Sequence, residues 1–127
     1  MPFNPDKIFL VTGAILGALA VAIGAFGAHA LKTMLTATNR LETFETASRY
    51  HFYHAFALIL VALVANSGNA KWLNISGHLF IWGTVIFCGT LYLLCLTGKT
   101  WLGAITPLGG VLLILGWCAL AYGISKS

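Results

Sequence analysis

Long apolar runs alternate along this chain with short polar interruptions. A membrane-crossing helix needs roughly 20 apolar residues at about 1.5 Å rise each. Runs that serve cover residues 8–31, 53–65, 73–96 and 102–124. The second is short, and counting back through Tyr50, His51 and Phe52 brings it to a marginal spanning length. The pattern predicts an all-α integral membrane bundle of four transmembrane helices. Residues 1–127 then form a single domain with no room for a separate soluble module. Ala28-His29-Ala30 at the end of the first run mimics a signal-peptidase site, but the run exceeds the roughly 7–15 residues of a signal h-region. It reads as a retained helix.

The polar interruptions predict the connections. The longest, residues 32–49, offers Asn39 as an N-cap and Glu42 three residues on as its capping-box partner. A helix would run from Arg40 into the second span, with Leu41, Phe44 and Ser48 on one side. That suits a short interfacial helix in the first loop. Asn66-Ser67-Gly68-Asn69 and Thr97-Gly98-Lys99-Thr100 read as turns. Trp72 and Trp101 beside them fit an aromatic belt.

Composition supports this reading. Charged residues make up 8% of the chain and hydrophobic ones 59%, against about 25% charged in soluble domains. Ten formal charges cannot cover a water-soluble globule of this size, so membrane lipid is the expected solvent and partner. The seven cationic residues flank the apolar runs singly, which excludes nucleic-acid binding. Lys32, Arg40, Arg49 and Lys99 fall on one side, Lys7, Lys71 and Lys126 on the other. Positive-inside counting favours a cytoplasmic first loop by one residue. Cys88, Cys95 and Cys118 project to different depths and read as small hydrophobes, not as a metal site.

Small residues recur at helical spacing in the first run, as Gly13, Gly17, Ala20, Gly24 and Ala28, and more weakly as Gly116, Ala119 or Leu120, and Gly123. Such stripes let helix backbones approach within one chain or between copies of a homo-oligomer.

The remaining polarity is one-sided. Alternating spans bring His29, Tyr50, His54, Tyr92 and Thr106 to the same membrane face, with Glu42, Glu45 and Arg49 in the adjoining loop. Asp6, Lys7 and His78 belong to the opposite face. Glu45 and Arg49, Arg49 and Tyr53, and Tyr50 and His54 are each spaced i,i+4. This spacing predicts a Glu45–Arg49 ion pair and a His54 facing His29 across the bundle. The cluster His29, Glu45, Arg49, Tyr53, His54, Tyr92, Thr106 and Pro107 supports three readings: mutual structural satisfaction, a site for a small polar ligand, or a metal or haem site on the two histidines. Two histidines without a third ligand are weak grounds for the last. Pro107, followed by Leu108-Gly109-Gly110, either breaks the fourth helix, as in transporter sites, or sits harmlessly in its first turn.

The chain resembles the YgdD-like family of small bacterial inner-membrane proteins, which has eukaryotic transmembrane relatives. The resemblance covers nearly the whole chain and rests on four ordered segments. These are Gly24-Ala25-Phe26-Gly27-Ala28-His29-Ala30-Leu31, Phe44-Glu45-Thr46-Ala47-Ser48-Arg49-Tyr50-His51-Phe52-Tyr53-His54-Ala55, Gly89-Thr90-Leu91-Tyr92-Leu93-Leu94 and Gly103-Ala104-Ile105-Thr106-Pro107-Leu108-Gly109-Gly110. Cys88-Gly89-Thr90 departs from the family's usual Ser-Gly-Ser. The resemblance implies four spans in a bacterial inner membrane and brings no activity or cofactor. No nucleophile with its base, paired carboxylate or phosphate loop is apparent. The expected function is therefore non-enzymatic: binding of a lipid headgroup, small ligand or partner subunit at the polar face. A minimal oligomeric transporter or channel is the alternative.

Overall fold

The computed structural model describes residues 5–126, with side chains from residue 7 onward; the Asp6 side chain lies outside the described residues. Five α-helices follow in order: α1 (Pro5–His29), α2 (Lys32–Ala37), α3 (Leu41–Leu63), α4 (Ala70–Thr97) and α5 (Thr106–Ser125), with a 3₁₀ turn over Thr100–Ala104 before the last. No strand occurs among the described residues. Three stretches are long and apolar enough to cross a membrane: Lys7–His29, Ala70–Thr97 and Thr100–Ser125. Helix α3 is long but carries Glu42, Glu45 and Arg49 in its first turns and two histidines further on, so it falls short of that composition.

Consecutive long helices pack side by side and antiparallel, as short connections require. The Asn69 amide bonds the Gly123 carbonyl at 2.8 Å, setting the start of α4 against the end of α5. Gly27, near the end of α1, lies under the Phe44 ring at the start of α3. The glycine stripe of α1 serves this internal packing. A Cβ on Gly13 would come within 2.8 Å of Ile59 Cγ1, and one on Gly24 within 3.1 Å of Ser48 Oγ. Gly17 is the exception, with nothing within 4 Å. The α4–α5 contact is closer still, with Gly109 against the backbone of Phe87 and Gly116 against the ring of Phe80.

Between the helices lie two apolar centres. Phe9, Leu58, Val61, Leu73, Phe80, Leu113 and Leu120 fill the half nearest the chain ends. Leu35, Phe44 and Cys95 fill the half nearest α2. Cys88 is buried too, whereas Cys118 is exposed, so the three thiols do not converge.

The first connection differs from its sequence expectation. Asn39 is not the N-cap of the following helix. Its φ is +59°, its amide bonds Thr36 O at 3.1 Å, and the Arg40 amide bonds Leu35 O at 2.8 Å. This pair of bonds is a Schellman closure with asparagine in the left-handed position. Asn39 therefore ends α2, and Arg40 begins α3 without a side-chain cap. The segment from residue 41 does run unbroken into the apolar part of α3, as expected of a helix starting at Arg40. Asn69 is the asparagine that does cap a helix, its Oδ1 accepting from Trp72 N at 3.3 Å. At the other turn Gly98, with φ +71°, closes α4 through its amide to Leu94 O.

The start of α5 decides between the two readings of Pro107. The proline lies in the first turn, where its missing N–H has no intrahelical acceptor to lose. With the 3₁₀ turn stacked before it, residues 100–125 run as a nearly continuous rod.

Candidate functional site

The polar residues at the α2 end separate into distinct groups. His29, Glu45 and Arg49 are exposed. The expected Glu45–Arg49 ion pair does not form; the Arg49 guanidinium instead donates to Thr46 Oγ1 at 3.4 Å. Exposed side chains gain little from pairing, so the nearer hydroxyl competes successfully.

His54 does not face His29. It is buried in α3 and both ring nitrogens are engaged elsewhere. Nδ1 lies 2.7 Å from the Tyr50 carbonyl, which can only accept, so Nδ1 carries the proton. Nε2 accepts from the Trp117 indole N–H at 3.1 Å, which can only donate. The two bonds specify a neutral imidazole in its Nδ1–H form. The Trp117 bond also ties α3 to α5 across α4, with the His54 ring against Phe80 on the way.

His51, one turn earlier, is the residue that sequence reasoning missed by treating it as part of an apolar count. It is buried, and Nδ1 meets the Tyr92 hydroxyl of α4 at 2.9 Å. His51 Nε2 is buried with no hydrogen-bond partner among the described residues. The i,i+3 spacing of His51 and His54 was the available signal, since it puts both on the inward face of one helix. Trp117 carried no comparable signal, because nothing in the local sequence says which depth of α5 meets His54.

Thr106 is buried at the head of α5, its hydroxyl 2.7 Å from that of Thr90 on α4. Each hydroxyl also reaches a carbonyl of its own chain segment, Thr90 to Ile86 O at 2.6 Å and Thr106 to Leu102 O at 3.3 Å. Pro107 is exposed beside it. Among the described residues, no three His, Cys, Asp or Glu side chains are placed to hold a metal ion.

Between α3 and α5 the wall of the bundle opens into a lateral cleft of about 510 Å³. His54 and Trp117 form its polar seam, and Tyr50 and Tyr53 one lip. Phe87, Gly110, Leu113 and Ile114 supply the apolar remainder. The rings interlock, with Tyr50–Phe87 centroids 5.1 Å apart and Tyr50–Tyr53 5.8 Å apart, edge to face. Neither tyrosine hydroxyl has a protein hydrogen-bond partner among the described residues, and both side chains are exposed. A smaller and almost wholly apolar crevice of about 410 Å³ lies beside Tyr92, between Phe26 and Leu96.

Comparison with known proteins places this arrangement in a family. A profile described as "Protein of unknown function (DUF423)" matches residues 23–110, which hold the polar end of the bundle, both histidines and most of the cleft. The chain belongs to this family. Over 122 residues it is 42% identical to the UPF0382 membrane protein of Staphylococcus saprophyticus, covering 94% of this chain and 98% of that one. The UPF0382 membrane protein YwdK of Bacillus subtilis matches with the same identity and coverage. A Staphylococcus epidermidis relative, also named a UPF0382 membrane protein, is 40% identical over 120 residues. No solved structure matches. The family is thus one of membrane proteins of unknown function, and the site must be read from its own chemistry.

Proposed function

We propose that the protein is a four-span bacterial inner-membrane protein of the YgdD-like kind, non-enzymatic, that binds an amphiphilic molecule in the cleft between α3 and α5. The lateral cleft carries this reading: its walls are apolar, and two tyrosine hydroxyls stand at the lip without a protein partner. A pathway through one copy is disfavoured, because Leu58, Leu73 and Phe80 are buried in the apolar interior between His54 and the opposite end.

Helix α3 serves as the remaining crossing. Its 23 residues extend about 34 Å, of which about 21 Å lies past Arg49, a short crossing of a hydrocarbon core of about 30 Å that local bilayer thinning accommodates. Polar groups in a membrane are tolerated where protein satisfies them, and His54 is bonded through both nitrogens while His51 holds Tyr92. Glu42, Glu45 and Arg49 stay exposed at the polar end with α2, at the interface. Reporters fused to the N- and C-termini should register the same side, and a reporter after Thr38 the other. Termini on opposite sides would reject the fourth crossing.

Binding is tested by native mass spectrometry of protein released gently from its own membrane. A small apolar adduct should survive in the wild type and be lost in Gly110→Leu, which fills the cleft. Equal adducts in both proteins would refute the site.

A further inference from the structure

The lining of the cleft constrains what enters it beyond the general class of amphiphile. We infer that the occupant is an uncharged, ring-headed amphiphile of the quinone type, its carbonyl oxygens accepting from Tyr50 and Tyr53 and its tail lying along Leu113 and Ile114; the inference rests on the cleft being the binding site.

Charge is the first restriction on the occupant. No Asp, Glu, Lys or Arg lines the cleft. A phosphate, ammonium or carboxylate head drawn into it would lose its hydration against no counter-charge, a cost of several kcal/mol per ion. The nearest cation along α3, Arg49, is outside the lining and already turned back to Thr46. A head that fits must be neutral.

Hydrogen bonding is the second. His54 offers nothing to a ligand, since Tyr50 O and Trp117 consume both its nitrogens, and the Trp117 N–H is spent on the same bond. The groups left over are the Tyr50 and Tyr53 hydroxyls. Their best use in an apolar setting is to donate to carbonyl oxygens, so a ligand with acceptors and no donors satisfies them.

The third is shape. Five of the lining residues present flat rings: Tyr50, Tyr53, His54, Phe87 and Trp117. Gly110 leaves the floor without a side chain, 3.6 Å from the Phe87 ring where its Cβ would be. Aromatic walls around a bare patch of helix accept a planar ring by offset or edge contact. Gly110 and Trp117 lie about 6 and 16 Å along α5 from Thr106, which carries the cleft from the polar-loop side to about the middle of a hydrocarbon layer of about 30 Å.

The test uses the full chain with Trp72→Phe, Trp82→Phe and Trp101→Phe, leaving Trp117 as the sole indole. It is titrated in a neutral detergent with a decyl-benzoquinone, a contact quencher. Saturable quenching is expected, weakened about 3- to 10-fold by Tyr53→Phe, the equivalent of one hydrogen bond of about 0.5–1.5 kcal/mol. Gly110→Leu should abolish saturation, with circular dichroism confirming that it is folded. An anionic phosphatidylglycerol should not compete. Linear quenching that all variants share overturns the inference. If the adduct lost in Gly110→Leu is a phospholipid and quinone quenching is linear, the quinone assignment fails while the cleft reading stands. If no adduct of any kind depends on Gly110, both fail.

Discussion

Substituting alanine for Gly109 should cost the bundle more than any other single methyl added to a glycine of its stripes. A Cβ at this position would lie 2.8 Å from Phe87 Cα and 2.9 Å from Phe87 Cβ, and closer still to the Phe87 backbone nitrogen. These atoms belong to a helix backbone and cannot swing aside as a flexible side chain would. The two helices must part by on the order of half an ångström, and a gap of that size forfeits a quarter or more of each dispersion contact it opens. The same displacement stretches the Thr90–Thr106 bond from 2.7 Å and the Ser76 bond to Gly116 O from 2.7 Å. Overpacking of this sort costs about 1–3 kcal/mol, while replacing a mid-helix glycine returns roughly 0.5–1 kcal/mol. The midpoints of these ranges leave a net loss of about 1 kcal/mol. Gly17→Ala is the matched control, since nothing lies within 4 Å of its added methyl; it collects the helix gain alone. Equilibrium unfolding in mixed micelles, titrated with SDS and followed by circular dichroism, should move the two midpoints in opposite directions. A Gly109→Ala protein as stable as wild type, or a Gly17→Ala protein below it, would refute the packing argument.

Three further outcomes follow from the polar interior. Thr84 Oγ1 is buried with no hydrogen-bond partner, so Thr84→Val should leave stability unchanged or raise it by up to about 1 kcal/mol, measured by the same titration. His54→Ala and Trp117→Phe should couple in a double-mutant cycle by about 0.6–1.7 kcal/mol, the range of hydrogen bonds between membrane helices; a zero coupling would mean that the 3.1 Å bond does not contribute. Glu45→Gln and Arg49→Gln should be additive within about 0.3 kcal/mol, since the two side chains are exposed and unpaired.

How far the site was legible in the sequence differs residue by residue. The i,i+4 step from Tyr50 to His54 correctly put their groups in contact, although through the Tyr50 carbonyl rather than its hydroxyl. The same rule failed for Glu45 and Arg49, because spacing brings side chains within reach without deciding which neighbour binds. Asn39 failed for a related reason: asparagine both starts helices and ends them in the left-handed region, and the sequence around it suits either.

Helicity, membrane residence and the approximate ends of the helices were set by local chemistry, by apolar length and by Gly98 and Asn69 at the turns. A helix in lipid must satisfy its own backbone, so these properties need no partner. What only the tertiary structure decided is which side chains meet at each depth. The sequence carried the resemblance of the 44–55 segment, but not that His54 reaches past Phe80 to Trp117 or that His51 takes Tyr92. Those pairings depend on the rotation and relative height of neighbouring helices, quantities set by where glycines such as Gly109 and Gly116 let two backbones touch. The cleft belongs to the same category. It exists because α3 and α5 are bridged by one His–Trp bond while the space beside that bond remains open.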